Sequence, residues 1–142
     1  MYNVKIVETE KEHADAFAVR KKVFVEEQGV PLHLECDAHD ATATHFIMYE
    51  GSEPAGAARL RCIEDHIAKI ERVCILESQR GKKLGALIMK EMENHAISIG
   101  LQKLKLHAQS YAVPFYEKLG YTVTSPEFMD AGIPHRAMEK NI

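Results

Sequence analysis

Apolar residues recur along this chain with two different spacings, and the order of these spacings predicts an α+β domain. Alternation with a period of two predicts strands over residues 4–7, 45–49, 54–62, 67–76, 103–108, 122–124 and 136–139. Spacing of three and four residues predicts helices over residues 9–29, 81–99 and 112–119. The central strands follow one another as a meander, whereas the later helices and strands alternate. We therefore expect one domain spanning residues 1–142, with a mixed sheet and flanking helices.

The first predicted helix has a clear beginning and an apolar face. Thr9 followed by Glu12 is a capping box, in which each side chain accepts a hydrogen bond from the backbone N–H of the other residue. Gly29 and Pro31 predict its end. The face expected to be buried consists of Ala14, Phe17, Ala18 and Phe24. Residues 31–43 show no periodicity, so we expect a long polar connection there, and such loops are often functional.

The most informative segment joins the strand at 67–76 to the helix at 81–99. It reads Gln79-Arg80-Gly81-Lys82-Lys83-Leu84-Gly85-Ala86. The free N–H groups and the dipole of a first helical turn attract anions, glycine lets the backbone approach them, and basic side chains add positive charge. The spacing of Gly81 and Gly85 and the residues after Gly85 exclude the mononucleotide P-loop and the dinucleotide-binding fingerprint. The segment therefore predicts a phosphate site of another kind.

This turn resembles the pyrophosphate loop of the GNAT N-acetyltransferase superfamily, whose pattern is Arg or Gln, two residues, Gly, one residue, then Gly or Ala. Arg80 and Gly85 match it, whereas Lys83 stands where the family usually has its first Gly. With helical dihedrals Lys83 can still offer its N–H, so we expect weakened or re-angled contact with the cofactor.

The resemblance continues beyond the turn. Residues 112–121 resemble the family's short helix, which carries Phe115-Tyr116 and ends in Leu-Gly-Tyr. Pro114 is tolerated in a first helical turn, and Gly120 can end the helix. Residues 20–31 and 127–135 also look like a subgroup of small bacterial GNAT proteins, so the resemblance covers nearly the whole chain.

The resemblance implies a sheet splayed between residues 67–76 and 103–108, with acyl-CoA in the gap. Acetyl-CoA would then be the acyl donor, and no metal would be needed. The residues expected to bind it are Val73, Cys74, Ile75, Arg80, Gly81, Lys82, Lys83, Leu84, Gly85, Ala86, Gln109 and Phe115. Backbone groups of residues 73–75 could also stabilise the oxyanion, because strand N–H groups beside a gap need another partner. Cys74 is expected to be a small apolar filler and not a nucleophile.

The same resemblance implies two catalytic residues. Tyr116 is expected to give a proton to the departing thiolate, and the alternative is a packed aromatic, as we expect for Tyr121. Glu71 is expected to deprotonate the amine, directly or through water, and the alternative is an ion pair with Arg72 or Lys69. The competing candidates for the base are Glu27, Glu35, Asp37 and His107.

The run Glu35-Cys36-Asp37-Ala38-His39-Asp40 contains metal-ligand residue types but no closed set at zinc spacing. A solvated acidic loop is the stronger interpretation. We expect this loop to shape the acceptor pocket and to attract a cationic amine.

Composition limits location and partners. The formal net charge is −3, with positive charge concentrated only at residues 20–22 and 80–90, so no nucleic-acid partner is expected. Apolar runs fall short of the ~20 residues of a membrane helix, so no membrane partner is expected either. We also expect no signal peptide, and three cysteines, an odd number, suit reduced thiols in the cytoplasm.

These expectations converge on a cytoplasmic, acetyl-CoA-dependent N-acetyltransferase that acts on a primary amine of a small molecule. A protein amine is a second class of acceptor, and a homodimer is compatible with the sequence. The alternative function is a CoA-binding sensor or assembly module that has lost catalysis, and Lys83 in the loop is the feature that favours it.

Overall fold

The computed structural model describes residues 1–142 and confirms a mixed, mostly antiparallel sheet with flanking helices. The strands are Tyr2–Ile6 (β1), Thr44–Glu50 (β2), Glu53–Glu64 (β3), Ile67–Ile75 (β4), Lys103–Gln109 (β5), Thr122–Val123 (β6), Phe128–Asp130 (β7) and Ile133–Asn141 (β8). Their order in the sheet is β1-β2-β3-β4-β5-β8-β6, with β7 paired to β8. Only β4 and β5 pair in parallel. The sequence did not predict β7, because three residues are too few to show an alternation.

Helices cover both faces of the sheet. They are Glu10–Arg20 (α1), which continues as a π-helical segment over Lys21–Glu27, Leu32–Glu35 (α2), Leu84–Ser98 (α3) and Val113–Lys118 (α4). One face of the sheet packs on α3 around Ile88 and Met92, and the other packs on α1 around Ala16 and Val19. None of these helices combines the length with the apolar composition that crossing a bilayer requires.

The predicted buried face of α1 is wrong, although its capping box is confirmed. Ala14 and Ala18 are exposed, and Phe17 and Phe24 are only partly buried. The buried residues of this helix and its π-helical extension are Ala16, Val19, Arg20 and Val23. The error has a physical cause: a fully buried arginine lies on the packed face, and a hydrophobicity pattern assigns such a residue to solvent.

Residues 31–43 also differ from the prediction of an irregular polar connection. They contain α2 and a 3₁₀ turn over Ala38–Ala41, which Asp37 caps by accepting from the backbone N–H of His39. Each of these elements is a single turn, which is too short to produce a periodic pattern.

Strand β4 contains a β-bulge at the edge of the parallel pairing. Arg72 and Val73 together oppose Ala58 alone, and Arg72 adopts the left-handed region with φ of 61°. That conformation costs a residue with a side chain about 1–2 kcal/mol. The guanidinium offsets this cost, because it donates to the Glu35 carbonyl oxygen and forms ion pairs with the carboxylates of Glu35 and Asp37.

The bulge shifts the phase of the strand. Ala68 and Ile70 face the α3 core before it, and Val73 and Ile75 pack on the same core after it. Parallel pairing with β5 ends at Ile70 and Leu106, so the strands diverge beyond that point. This confirms the predicted splay between residues 67–76 and 103–108.

Candidate active site

The diverging ends of β4 and β5 line a cavity of about 660 Å³. The π-helical segment after α1, the α2 segment, the first turn of α3, α4 and the β7–β8 hairpin complete its wall. One end lies near Gly85 and Phe115, and Arg80 also lines the cavity there. The other end is rich in charged and imidazole groups, including Arg61, Lys69 and His107.

Most of the site residues predicted from the sequence meet in this cavity. Those that line it are Glu71, Val73, Cys74, Ile75, Arg80, Gly85, Gln109, Phe115 and Tyr116. Those that do not are Gly81, Lys82, Lys83, Leu84 and Ala86. The first three of these are exposed in the turn before α3, whereas Leu84 is buried in the α3 core.

The turn before α3 owes its shape to left-handed residues. Gly81 has φ of 84° and Lys83 has φ of 61°, so Lys83 does not have the right-handed helical dihedrals expected from the sequence. It takes the conformation that a glycine would adopt without strain. The N–H groups of the first turn of α3 receive no side-chain cap and remain available to an anion.

Gly85 sits against the Phe115 ring. A Cβ added at Gly85 would lie 3.1 Å from Phe115 Cζ, so the glycine permits α4 to approach the beginning of α3. Nearby, the carboxylate of Glu27 accepts two hydrogen bonds from Arg80, at 2.5 and 2.7 Å. Those bonds lower the pKa of Glu27, which makes this carboxylate a poor candidate for the base.

At the far end of β5, Gln109 connects two walls of the cavity. Its Nε2 donates to Gln28 Oε1 at 2.8 Å, which ties the strand to the residue that follows the π-helical segment. Sequence patterns gave no sign of this contact, because the two residues are 81 positions apart.

Tyr116 and Cys74 face the cavity as neutral acids. Burial raises the pKa of the Tyr116 hydroxyl, with smaller contributions from Tyr111 and Cys74. Burial likewise raises the pKa of the Cys74 thiol to about 12. Cys74 therefore stays a thiol at neutral pH, as a packing residue would, whereas Tyr116 keeps a proton that it can donate. The expected packing role of Tyr121 is met, since it is buried and its hydroxyl donates to Glu93 at 2.8 Å.

Glu71 lies at the polar end of the cavity, and three cationic side chains surround its carboxylate. Its carboxylate accepts from Arg59 at 2.7 Å and from Arg61 at 3.1 Å, and Lys69 Nζ lies 3.4 Å away. Burial opposes the charged form, but these hydrogen bonds and charges outweigh it and lower the pKa of Glu71 to about 2. A carboxylate with such a pKa is a weak proton acceptor, so an ion pair describes its contacts better. Of the two partners weighed from the sequence, Lys69 contacts Glu71, whereas Arg72 pairs with Glu35 and Asp37 instead.

The acidic run after α2 is a salt-bridge network and not a solvated loop, which corrects the expectation from the sequence. Glu35, Arg20 and Arg59 are buried and Arg72 is partly buried, and the charges alternate between carboxylate and guanidinium. The N···O distances join Arg20 to Glu35 (2.9 Å) and Asp40 (2.8 Å), Arg59 to Asp37 (2.7 Å) and Asp40 (2.8 Å), and Arg72 to Glu35 (2.9 Å) and Asp37 (3.2 Å). The sequence missed the network because each arginine comes from a different element.

His107 lines the cavity from β5 and is exposed to solvent. Partial desolvation against the cavity wall lowers the pKa of its imidazole, and the charge of Lys69 lowers it further, while Asp130 acts in the opposite direction. The ring packs edge-on against Phe128 at 5.0 Å and makes no side-chain hydrogen bond. Its position in the alternation of β5 was the only signal for it in the sequence.

Comparison with known proteins agrees with this architecture. A family model described as an acetyltransferase (GNAT) domain matches residues 7–142. The chain belongs to the GNAT acetyltransferase family. The uncharacterized N-acetyltransferase YjcF of Bacillus subtilis (strain 168) is 45% identical over 137 residues, which cover 96% of this chain and 97% of that protein.

Solved structures share the fold over the full length. The crystal structure of an N-acetyltransferase from Lactobacillus plantarum has 29% sequence identity to this chain and a TM-score of 0.93. The match covers 99% of this chain and 97% of that chain. Escherichia coli ElaA has 23% identity and a TM-score of 0.89, and covers 99% of both chains.

The GNAT fold implies the use of acyl-CoA, and the residues of this chain fit such a ligand. A gap between two strands, a glycine that leaves room at the beginning of α3, and uncapped N–H groups there suit a long thioester with a diphosphate.

Proposed function

We propose that this protein is an acetyl-CoA-dependent N-acetyltransferase whose acceptor is a primary amine of a small molecule. The observation that carries the proposal is the cavity at the diverging strands, because it brings the beginning of α3, the β4 bulge and Tyr116 to one space. Acetyl-CoA, when bound, supplies the thioester carbon that an amine attacks. The cavity is part enclosed by α2 and the β7–β8 hairpin, which suits a small acceptor better than a protein chain.

In this proposal Tyr116 is the proton donor and His107 the proton acceptor. The raised pKa of Tyr116 keeps its hydroxyl protonated, so it can serve the leaving sulfur. The lowered pKa of His107 keeps its imidazole neutral near pH 7, so it can accept a proton from an ammonium group. Glu71, the base predicted from the sequence, is assigned instead to holding Arg59 and Arg61 in place.

The non-catalytic alternative rested on Lys83, and the structure weakens that argument. Lys83 adopts the left-handed conformation that lets the turn keep the shape of a glycine-containing loop. Its side chain is exposed and makes no hydrogen bond within the protein, so it does not block the first turn of α3.

Coenzyme A is expected to stabilise the protein through the beginning of α3. A ligand that binds only the native state at about 100 times its dissociation constant adds about 2.7 kcal/mol, so thermal unfolding should shift upward by several degrees. Gly85→Glu places a Cβ against Phe115 and a carboxylate beside the N–H groups that would hold the diphosphate, and should remove the shift. Asn94→Glu adds the same charge on the exposed side of the same helix and should retain it. A full shift with Gly85→Glu, or an equal shift with NAD, would contradict the assignment.

The two candidates for the base are expected to differ in their pH–rate profiles. If His107 accepts the proton, the wild-type rate should rise with pH through a value below 6.5, because the folded-state pKa of His107 is lowered. His107→Asn should remove that rise and lower the neutral rate by about 10²-fold, with partial recovery at high pH as the free amine becomes abundant. Glu71→Gln should keep the rise and move it to lower pH, because the charge of Glu71 raises the pKa of His107. Glu71 itself, with a pKa of about 2, is already ionised throughout the assay range. If Glu71→Gln removed the rise and His107→Asn kept it, Glu71 would be the base.

A further inference from the structure

The charges at the polar end of the cavity do not cancel. Arg20, Arg59 and Arg72 balance the three carboxylates of the acidic run, and each of those six side chains has at least one partner of opposite sign within 3.2 Å. This leaves Arg61 and Lys69 to face the single carboxylate of Glu71, which Arg59 also contacts. One positive charge therefore remains in excess among the buried and partly buried groups at this end, before the exposed carboxylate of Asp130 is counted.

Both of the remaining cations have capacity for another partner. Arg61 uses Nε and Nη2 on Glu71 and leaves Nη1 without a hydrogen-bond acceptor in the protein. Lys69 Nζ is 3.4 Å from Glu71 Oε2, the longest of the cation contacts to this carboxylate. Only 23% of the Arg61 side chain and 20% of the Lys69 side chain is exposed. A cation held away from water in this way favours the approach of an anion.

The other charged groups at this end do not reverse the balance. Asp130 lines the cavity from the exposed β7 strand, where water and salt screen its charge. His39, His107 and His135 also line it, and protonation of any of them would add positive charge. A bare ammonium ion would thus meet a neutralised acidic run and an uncompensated cation.

We propose that the acceptor carries an anionic oxygen group, a carboxylate or a phosphate, in addition to its amine, and that Lys69 and Arg61 bind this group. The inference rests on the proposed acyltransferase function and specifies its substrate class. Lys69 pairs in register with Lys105, and His107 lies two residues further along β5, about 7 Å by strand rise. A molecule whose anionic group and amine are a few bonds apart can therefore reach the cation and the base together.

Matched acceptors that differ only in the anionic group test the proposal. Tyrosine against tyramine and histidine against histamine probe a carboxylate, and O-phosphoethanolamine against ethanolamine probes a phosphate. Thiol release from acetyl-CoA measures turnover, and calorimetry on the CoA-saturated protein measures binding independently. We expect at least one acceptor with an anionic group to exceed its partner without that group by tenfold or more in kcat/KM and in affinity. The series that shows the preference identifies the anionic group.

Lys69→Gln and its matched control, Lys105→Gln, locate the effect. Both remove one positive charge from the same face of the sheet, but Lys105 does not line the cavity. Lys69→Gln should abolish the tenfold preference, and Lys105→Gln should keep it. Equal use of the acceptors with and without the anionic group, or equal losses in the two variants, would overturn the proposal. If no amine releases thiol while anionic amines bind in a Lys69-dependent way, the binding inference stands and the proposed catalysis fails.

Discussion

Tyr116→Phe is expected to lower turnover by 10²- to 10⁴-fold while coenzyme A affinity stays the same. The ring packs against Phe115 and Tyr121, with centroids 4.9 and 6.0 Å apart, and phenylalanine preserves that packing. What the variant lacks is the hydroxyl, whose proton is retained at neutral pH because burial raises its pKa. Loss of a general acid of this kind costs a rate factor of about 10²–10⁴. Steady-state rates with one active amine, together with calorimetric titration of coenzyme A, measure the two quantities.

Tyr121→Phe is the matched control for this prediction. It removes a hydroxyl of the same chemistry that donates to Glu93 and lies outside the cavity. We expect a loss of about 1 kcal/mol in unfolding free energy, as for one hydrogen bond, and unchanged turnover. If Tyr116→Phe behaved like Tyr121→Phe, Tyr116 would be a packed aromatic and the proton would come from elsewhere.

Arg59→Met is expected to be the most destabilising single substitution in the charge network. The side chain is fully buried and contacts the carboxylates of Asp37, Asp40 and Glu71 at 2.7–2.8 Å. Removing one member of a buried ion pair leaves its partners buried without a counter-charge, at a typical cost of about 3–5 kcal/mol. Arg136→Met makes the same change at a partly buried arginine that forms no ion pair, and should cost about 1 kcal/mol or less. Denaturant unfolding at constant pH compares the two variants.

The destabilisation by Arg59→Met should also depend on pH in a fixed direction. The folded-state pKa of Glu71 is lowered from 4.5 to about 2, and that of Asp40 is lowered as well, in spite of burial. At pH values between the lowered folded-state pKa and the ordinary carboxylate pKa, the unfolded chain binds more protons than the folded chain. The stability that the network contributes is therefore complete above the ordinary carboxylate range and is lost as pH falls toward 2. The difference in unfolding free energy between wild type and Arg59→Met should therefore be largest near pH 7 and become smaller on acidification. A gap that stayed constant with pH would mean that the loss comes from packing and not from charge.

Several expectations came correctly from short-range patterns. The capping box at Thr9, the turn before α3 and the helix that carries Phe115 and Tyr116 each depend on residues a few positions apart. Local hydrogen bonding and backbone preference decide such features, so one stretch of sequence contains the information. The divergence of β4 from β5 followed from the family resemblance, which implied a splay between residues 67–76 and 103–108. Their parallel pairing was not predicted, because no local signal specifies which strands are neighbours.

The bulge in β4 shows where a local signal existed and was not used. The apolar residues at positions 68 and 70 alternate in one phase, and those at positions 73 and 75 alternate in the other. The structure places the bulge between positions 70 and 73. A strand whose alternation slips by one residue must either bulge or turn its apolar side chains to the wrong face.

The sequence by itself determined the order of the longer helices and strands and the family resemblance, and it predicted anion binding at the turn before α3, because period, capping and glycine placement act over a few residues. Only the tertiary structure decided the charge of the cavity. Arg59 comes from β3 and its carboxylate partners from the acidic run and from β4, 12 to 22 positions away. Whether an acidic run attracts an amine or is neutralised by arginines depends on which side chains the fold buries beside it, since the energy of a charge is set by its neighbours and its exposure to water.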